Sequence, residues 1–162
     1  SRRQRQMCIR DSLKATDMQT AVGCAQLEKF PSFVERRRHN FDRLRAALAD
    51  IEDKVILPVP CDNSRPSWFG FLITCREGVD RNAVVQYVEK KGVQTRMLFA
   101  GNLTKHPCFD QMRAKKSGYR VVGELTNTDR IMQDTFWVGV YPGMTDEKID
   151  YMAKVIKEGL LQ

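Results

Sequence analysis

The stretch Thr95–Asn102, Thr-Arg-Met-Leu-Phe-Ala-Gly-Asn, holds the residues best equipped for chemistry. Arg96 offers a planar guanidinium, which pairs with phosphate oxygens two at a time. Gly101 and Asn102 make a bend, and a strand ending there exposes backbone donors. The set suits a ligand carrying phosphate or many hydroxyls. The same residues also describe an ordinary strand-to-loop corner with a solvated arginine, because one short motif carries a high false-positive risk. Other reactive groups are scattered. Cysteines stand at 8, 24, 61, 75 and 108, and His39 and His106 are the two histidines. No Cys-x-x-Cys pair exists, so zinc and cluster spacings are absent and no metal site is expected. An odd, dispersed set of thiols fits reduced cysteines in a cytoplasmic protein.

The elements that must position this stretch can be read from pattern. At 162 residues the chain is long enough for one domain with a real core. Thr16 and Gln19 make a capping box, and Met18, Ala21, Val22 and Ala25 form an apolar stripe behind it. Phe30-Pro31 interrupts that stripe, and Val34, Phe41, Leu44, Leu48 and Ile51 resume it. The pattern predicts two helices, or one with a strong kink, over about 16–50. Val55–Val59 predicts a short edge strand because of Pro58. Ser67–Cys75 and Thr135–Tyr141 predict core strands. Asp80 caps a helix that ends at Gly92, and a strand from Val93 leads into Thr95–Asn102. Short helices are expected over 106–115 and 124–133. Thr145 caps a last helix that turns Ile149, Met152, Ile156 and Leu160 inward. This order gives a small α/β fold, a mixed or antiparallel sheet with helices on one side, preceded by long connecting helices.

Charge narrows the function classes. Of the net +7, Arg2, Arg3, Arg5 and Arg10 against Asp11 place +3 in the first twelve residues and leave a mild +4 for the rest. Residues 1–12 share no periodicity with the segment beginning at Leu13 and read as a non-native leader or a disordered basic arm. Arg36-Arg37-Arg38 is the one dense basic run; it reads as a solvated helix face, with a phosphate patch as the alternative. No apolar run approaches the roughly 18 residues of a membrane span. A free-standing α/β RNA-binding module stays open on the basic balance, and it predicts salt-sensitive binding to nucleic acid.

Leu13–Lys29, with its Thr16-Asp17-Met18-Gln19 and Gln26-Leu27-Glu28, resembles a motif of the pyridoxal-phosphate sugar aminotransferases, the DegT-like family. The family form runs Thr-Asp-hydrophobic-Gln-Ala-Ala and ends Gln-Leu-Glu. The likeness continues without a gap to Leu160. It implies the C-terminal small domain of a type I aminotransferase fold, with 13–50 as connecting helices from a missing large domain and 51–162 as the small domain. Two departures resemble the branch that removes a sugar hydroxyl. Trp68-Phe69-Gly70-Phe71 replaces the aromatic-His-Leu-aromatic strand of the aminotransferases, and Thr95–Asn102 is followed by Pro107.

That branch is similar to the CDP-4-keto-6-deoxy-D-glucose 3-dehydrases, which serve the dideoxysugars of lipopolysaccharide. The resemblance implies that pyridoxamine phosphate joins the 4-keto group, a base takes a proton from the cofactor, and the 3-hydroxyl departs. It implies that the cofactor histidine of that branch and any 2Fe-2S iron–sulfur cluster lie upstream of Leu13, so no catalytic residue is expected here. Arg96 and Asn102 would contact the nucleotide-linked 4-keto-6-deoxyhexose, with Gly101 permitting the bend and a simple turn cap as the alternative for Asn102. Trp68 and Phe69 would wall the sugar–cofactor adduct, with plain core packing as their alternative. Ser12 falls at the family's cofactor-phosphate asparagine. A homodimer and a reductase partner are implied for the full-length enzyme, and a nucleotide-sugar aminotransferase is the alternative within the family. The chain alone is expected to be inactive, to bind neither cofactor nor nucleic acid, and to show an exposed apolar face over 16–30.

Overall fold

The computed structural model describes residues 15–162. Its first element is α1 (Asp17–Ala47), a single helix of 31 residues opened by the Thr16–Gln19 capping box. Of the two forms expected, the chain takes the single helix, which runs through Pro31. Proline's missing N–H frees the carbonyl four residues earlier, on a stretch exposed to solvent. Beyond α1 come β1 (Val55–Ile56), β2 (Gly70–Cys75), α2 (Arg81–Lys90) and β3 (Thr95–Met97). Two short 3-10 turns, Leu103–Lys105 and Pro107–Phe109, then lead into α3 (Asp110–Lys115) and α4 (Thr126–Asp134). The chain finishes with β4 (Thr135–Gly139) and α5 (Asp146–Leu160).

The four strands form one antiparallel sheet in the order β1-β2-β4-β3. β1, which ends two residues before Pro58, is at the edge, as expected, though shorter than the apolar run. The sheet register sorts every side chain to one of two faces, because strand side chains alternate. Phe71, Ile73, Phe136 and Val138 point into the core. There they meet Phe41, Leu44 and Leu48 of α1, Val84 and Val88 of α2, and Ile149, Met152 and Ile156 of α5. Phe41 packs 4.8 Å from Phe71, centroid to centroid. The inward positions read from the α5 spacing are all buried. Leu72, Arg96 and Trp137 form the opposite, outer row.

Two arginines of the run, Arg36 and Arg38, are tied into the fold rather than solvated. Arg36 donates to the Met144 carbonyl and to Asp146, and Arg38 donates to the Pro66 and Arg65 carbonyls and to Glu35. Beyond the run, Arg43 grips Asp150 with two bonds of 2.8 and 2.7 Å and reaches Asp146 at 3.2 Å. Buried Asn40 donates to the Tyr141 carbonyl at 2.9 Å, fixing the turn between β4 and α5. The second half of α1 is thus clamped to the start of α5, while its first half carries exposed Met18, Val22, Leu27 and Phe30.

Arg36, then Arg43 and His39, hold the Asp146 carboxyl below the usual range, and Arg43 does the same for Asp150. A carboxylate whose folded pKa is depressed stabilises the fold above its unfolded pKa of about 3.9 and stops doing so as pH falls through the folded value. Asp146→Asn should therefore lower the urea midpoint at neutral pH, and the gap to wild type should close below about pH 4. A gap that persists in acid would refute the clamp's ionic character.

Candidate functional site

The outer sheet face is where the anticipated residues converge, in part. Arg96 lies directly across from Trp137 on the neighbouring strand, and Leu72 lies across from Trp137 on its other side. Phe69, just before β2, stands edge-on to the Trp137 indole at 5.6 Å and 87° and is 63% exposed. Phe69 and Arg96 therefore share one surface, with Trp137 between them. Pattern reading of the sequence passed over Trp137. The signal for it was the alternation in Thr135–Gly139: if Phe136 and Val138 face the core, Trp137 must face away.

Trp68 does not join that wall. It turns to the helix side, its ring 4.7 Å from Phe41, and packs against the core. Strict alternation back from inward Phe71 would send Phe69 inward and Trp68 outward; the chain bends at Phe69, just before the strand begins, and the two rings take the opposite sides.

Asn102 also departs from its expected role. It is 3% exposed, and its amide is engaged inside the fold. Its Nδ2 donates to Asp129 at 2.6 Å, while its Oδ1 accepts from the Thr104 N–H at 3.0 Å and the Thr104 hydroxyl at 2.6 Å. Lys105 closes on the same Asp129 at 2.8 Å. Lys105 and Asn102 together hold the Asp129 carboxyl below the usual range. Asn102 is thus the pin between the loop after β3 and α4, not a contact on the open face. Gly101 makes the bend at φ +61°, and a Cβ there would lie 2.7 Å from Met132 Cγ, so both conformation and space call for glycine. His106 donates from Nε2 to the Ala100 carbonyl and ties the same loop.

The outer-face residues include neither a lysine nor a carboxylate. One guanidinium and two aromatic rings fall short of the set that pyridoxal phosphate uses, a Schiff-base lysine with a partner for the pyridine nitrogen. The described residues alone do not fit that cofactor, and Ser12 lies outside them. Among the described residues no group of three or more His, Cys, Asp or Glu could hold a metal, and no helix is long and apolar enough to cross a membrane. Cys75 is buried in the core, and burial pushes its thiol up to about 11, so it is no nucleophile at neutral pH.

Contact and positioning roles separate on stability. Asn102→Ala should cost about 1–3 kcal/mol in denaturant unfolding, because it strands buried partners. Arg96→Ala should change stability by no more than about 0.5 kcal/mol. The reverse order would exchange their roles.

Comparison with known proteins places these features. The lipopolysaccharide biosynthesis protein RfbH of Salmonella typhimurium is 48% identical over 149 residues, covering 91% of this chain and 33% of that protein. The dTDP-4-dehydro-2,6-dideoxy-D-glucose 3-dehydratase of Saccharopolyspora spinosa is 46% identical, covering 91% of this chain and 31% of that protein. The solved structure of E coli GDP-4-keto-6-deoxy-D-mannose-3-dehydratase with bound hydrated PLP matches with a TM-score of 0.71 at 26% identity, over 86% of this chain and 34% of that one. The chain spans about a third of the length of the curated relatives it matches. A model of the DegT/DnrJ/EryC1/StrS aminotransferase family matches residues 2–157, reaching back into the arginine-rich leader. With the small antiparallel sheet, its one-sided helices and that match, the chain belongs to the DegT/DnrJ/EryC1/StrS aminotransferase family.

Proposed function

We propose that this chain is the C-terminal, substrate-contacting part of a pyridoxamine-phosphate-dependent 3-dehydratase acting on a nucleotide-linked 4-keto-6-deoxyhexose, in the making of lipopolysaccharide dideoxysugars. The observation that carries the reading is the 46–48% identity to RfbH and to a sugar 3-dehydratase along 91% of the chain. In this reading residues 13–50 connect to a large domain that supplies the catalytic groups, and 51–162 form the small domain. The bound cofactor supplies the electron sink for loss of the 3-hydroxyl. Arg96 pairs with phosphate oxygens of the nucleotide-sugar, and Phe69 walls the site against water. Phe69 in place of the aminotransferases' histidine favours dehydration over amino transfer. A cytoplasmic homodimer served by a reductase, with an iron–sulfur cluster upstream, belongs to the same reading.

The test uses the longer protein that contains this chain, loaded with cofactor and given CDP-, dTDP- or GDP-linked 4-keto-6-deoxyhexose. Mass spectrometry should find a product that has lost its 3-hydroxyl. An amino sugar would overturn dehydration in favour of amino transfer. The 162-residue chain by itself should retain no cofactor absorbance after dialysis; a retained band would overturn the division of labour.

The exposed apolar side chains on the first half of α1 are the surface that the large domain covers in this reading. Light scattering on the isolated chain should show concentration-dependent self-association. A monomer at every concentration would argue that this helix has nothing to cover it.

A further inference from the structure

We infer that the outer sheet face is a stacking platform for the base of the nucleotide, built by Trp137 and made possible by Gly70. This inference rests on the proposed function and names the part of the substrate that this face takes. On one side the indole Nε1 donates to the Met97 carbonyl of β3 at 3.2 Å. On the other side the indole covers Gly70 of β2: a Cβ there would sit 2.6 Å from Trp137 Cε3 and 3.1 Å from Cζ3. β3 and β2 flank β4 on opposite sides. Reaching toward both across spacings of roughly 4.8 Å requires the ring to lie low along the sheet. Gly70 keeps an ordinary backbone and is not among the positive-φ residues, so glycine is needed there for space alone. Any side chain would lift the indole off the sheet.

The surroundings of the ring define the ligand. Phe69 stands perpendicular to it and forms a side wall rather than a cover. Arg96 is its cross-strand neighbour, exposed, and paired with no carboxylate among the described residues. A flat apolar plane beside a free guanidinium matches a planar base tethered to a diphosphate. A bare sugar ring would want several hydroxyl partners, and the row formed by Leu72, Trp137 and Arg96 supplies only one charged group. Stacking uses a face that every base possesses, so the platform accepts cytosine, thymine or guanine and leaves the choice among them to other contacts.

The sequence holds two tryptophans, so Trp68→Phe leaves Trp137 as the sole indole. Titration of that variant of the 162-residue chain with CDP, dTDP and GDP should give saturable quenching, and inorganic pyrophosphate should give none. Gly70→Val should weaken nucleotide binding roughly tenfold or more. Trp137→Leu, which removes the plane without crowding the backbone, should do the same by calorimetry while leaving pyrophosphate binding unchanged. Arg96→Met should weaken nucleotide and pyrophosphate alike. Absence of saturable quenching by all three nucleotides would overturn the platform, as would pyrophosphate binding as tight as theirs. If the longer protein dehydrates the sugar with the same KM in wild type and Trp137→Leu, the platform falls and the proposed function stands. If no hydroxyl is lost but the nucleotides still quench Trp137, the proposed function falls and the platform stands.

Discussion

Pairing of β2 with β4 governs both faces of this molecule. Five consecutive residue pairs, from Gly70↔Gly139 to Thr74↔Thr135, lock the two strands antiparallel. With a side-chain period of two, that single register decides what is core and what is surface. Phe71 and Val138 are driven inward together, and Leu72 and Trp137 are driven outward together. A slip by one residue would bury Trp137 against α1 and α5 and expose Phe136 and Val138. Burial of those apolar side chains, worth about 1.5–3 kcal/mol each, makes the slip prohibitive. The stability of the inner face therefore holds the geometry of the outer one.

The helix layer serves the same register from behind. α5 packs between α1 and α2, and its start is held by Asn40 and by the arginines around Asp146 and Asp150. Each surface ion pair is individually worth little, but these share carboxylates and act beside a buried amide. The Thr74–Thr135 hydroxyl pair, at 2.9 Å, closes the far end of the β2–β4 ladder. Beyond β3 the chain departs on a long excursion before returning as β4, and the Asn102–Asp129–Lys105 cluster gathers its two ends. Where Arg96 stands relative to Trp137 is set by the β3–β4 register itself.

Legible in the sequence were the features that neighbours in the chain decide. The Thr16–Gln19 capping box, the Asp80 cap and the three- and four-residue steps of α5 all act within a few residues, and each is present. Thr145 sits at its cap position, although its hydroxyl makes no capping bond to the helix backbone. Long-range partners defeated local pattern. Arg36 and Arg38 look like a solvated run until Asp146 and the Arg65–Pro66 carbonyls arrive from distant segments. Asn102 caps the turn at Leu103, as its residue type allowed, but its bond to Asp129 of α4 was out of local reach. Pro31 left open two helices or one kinked helix, a choice that the sequence around it does not decide, and the helix is continuous there. Within the candidate site the resemblance supplied Phe69 and Arg96, while Trp137 required knowing which strands are adjacent.

Two exposed surfaces among the described residues differ in kind. The first half of α1 presents apolar side chains from a helix with little net amphipathicity, which suits a broad protein surface such as the proposed large domain would bring. The outer sheet face presents one indole, one perpendicular phenyl ring and one unpaired guanidinium, which is too sparse and too polar for a domain core. Packing a second domain flat onto it would bury Arg96 without a partner among the described residues, at a cost of several kcal/mol. A ligand that brings its own negative charge removes that penalty. An uncompensated guanidinium argues against an apolar partner on this face, and the proposed nucleotide, an anion with a planar end, would answer both Arg96 and the indole beside it.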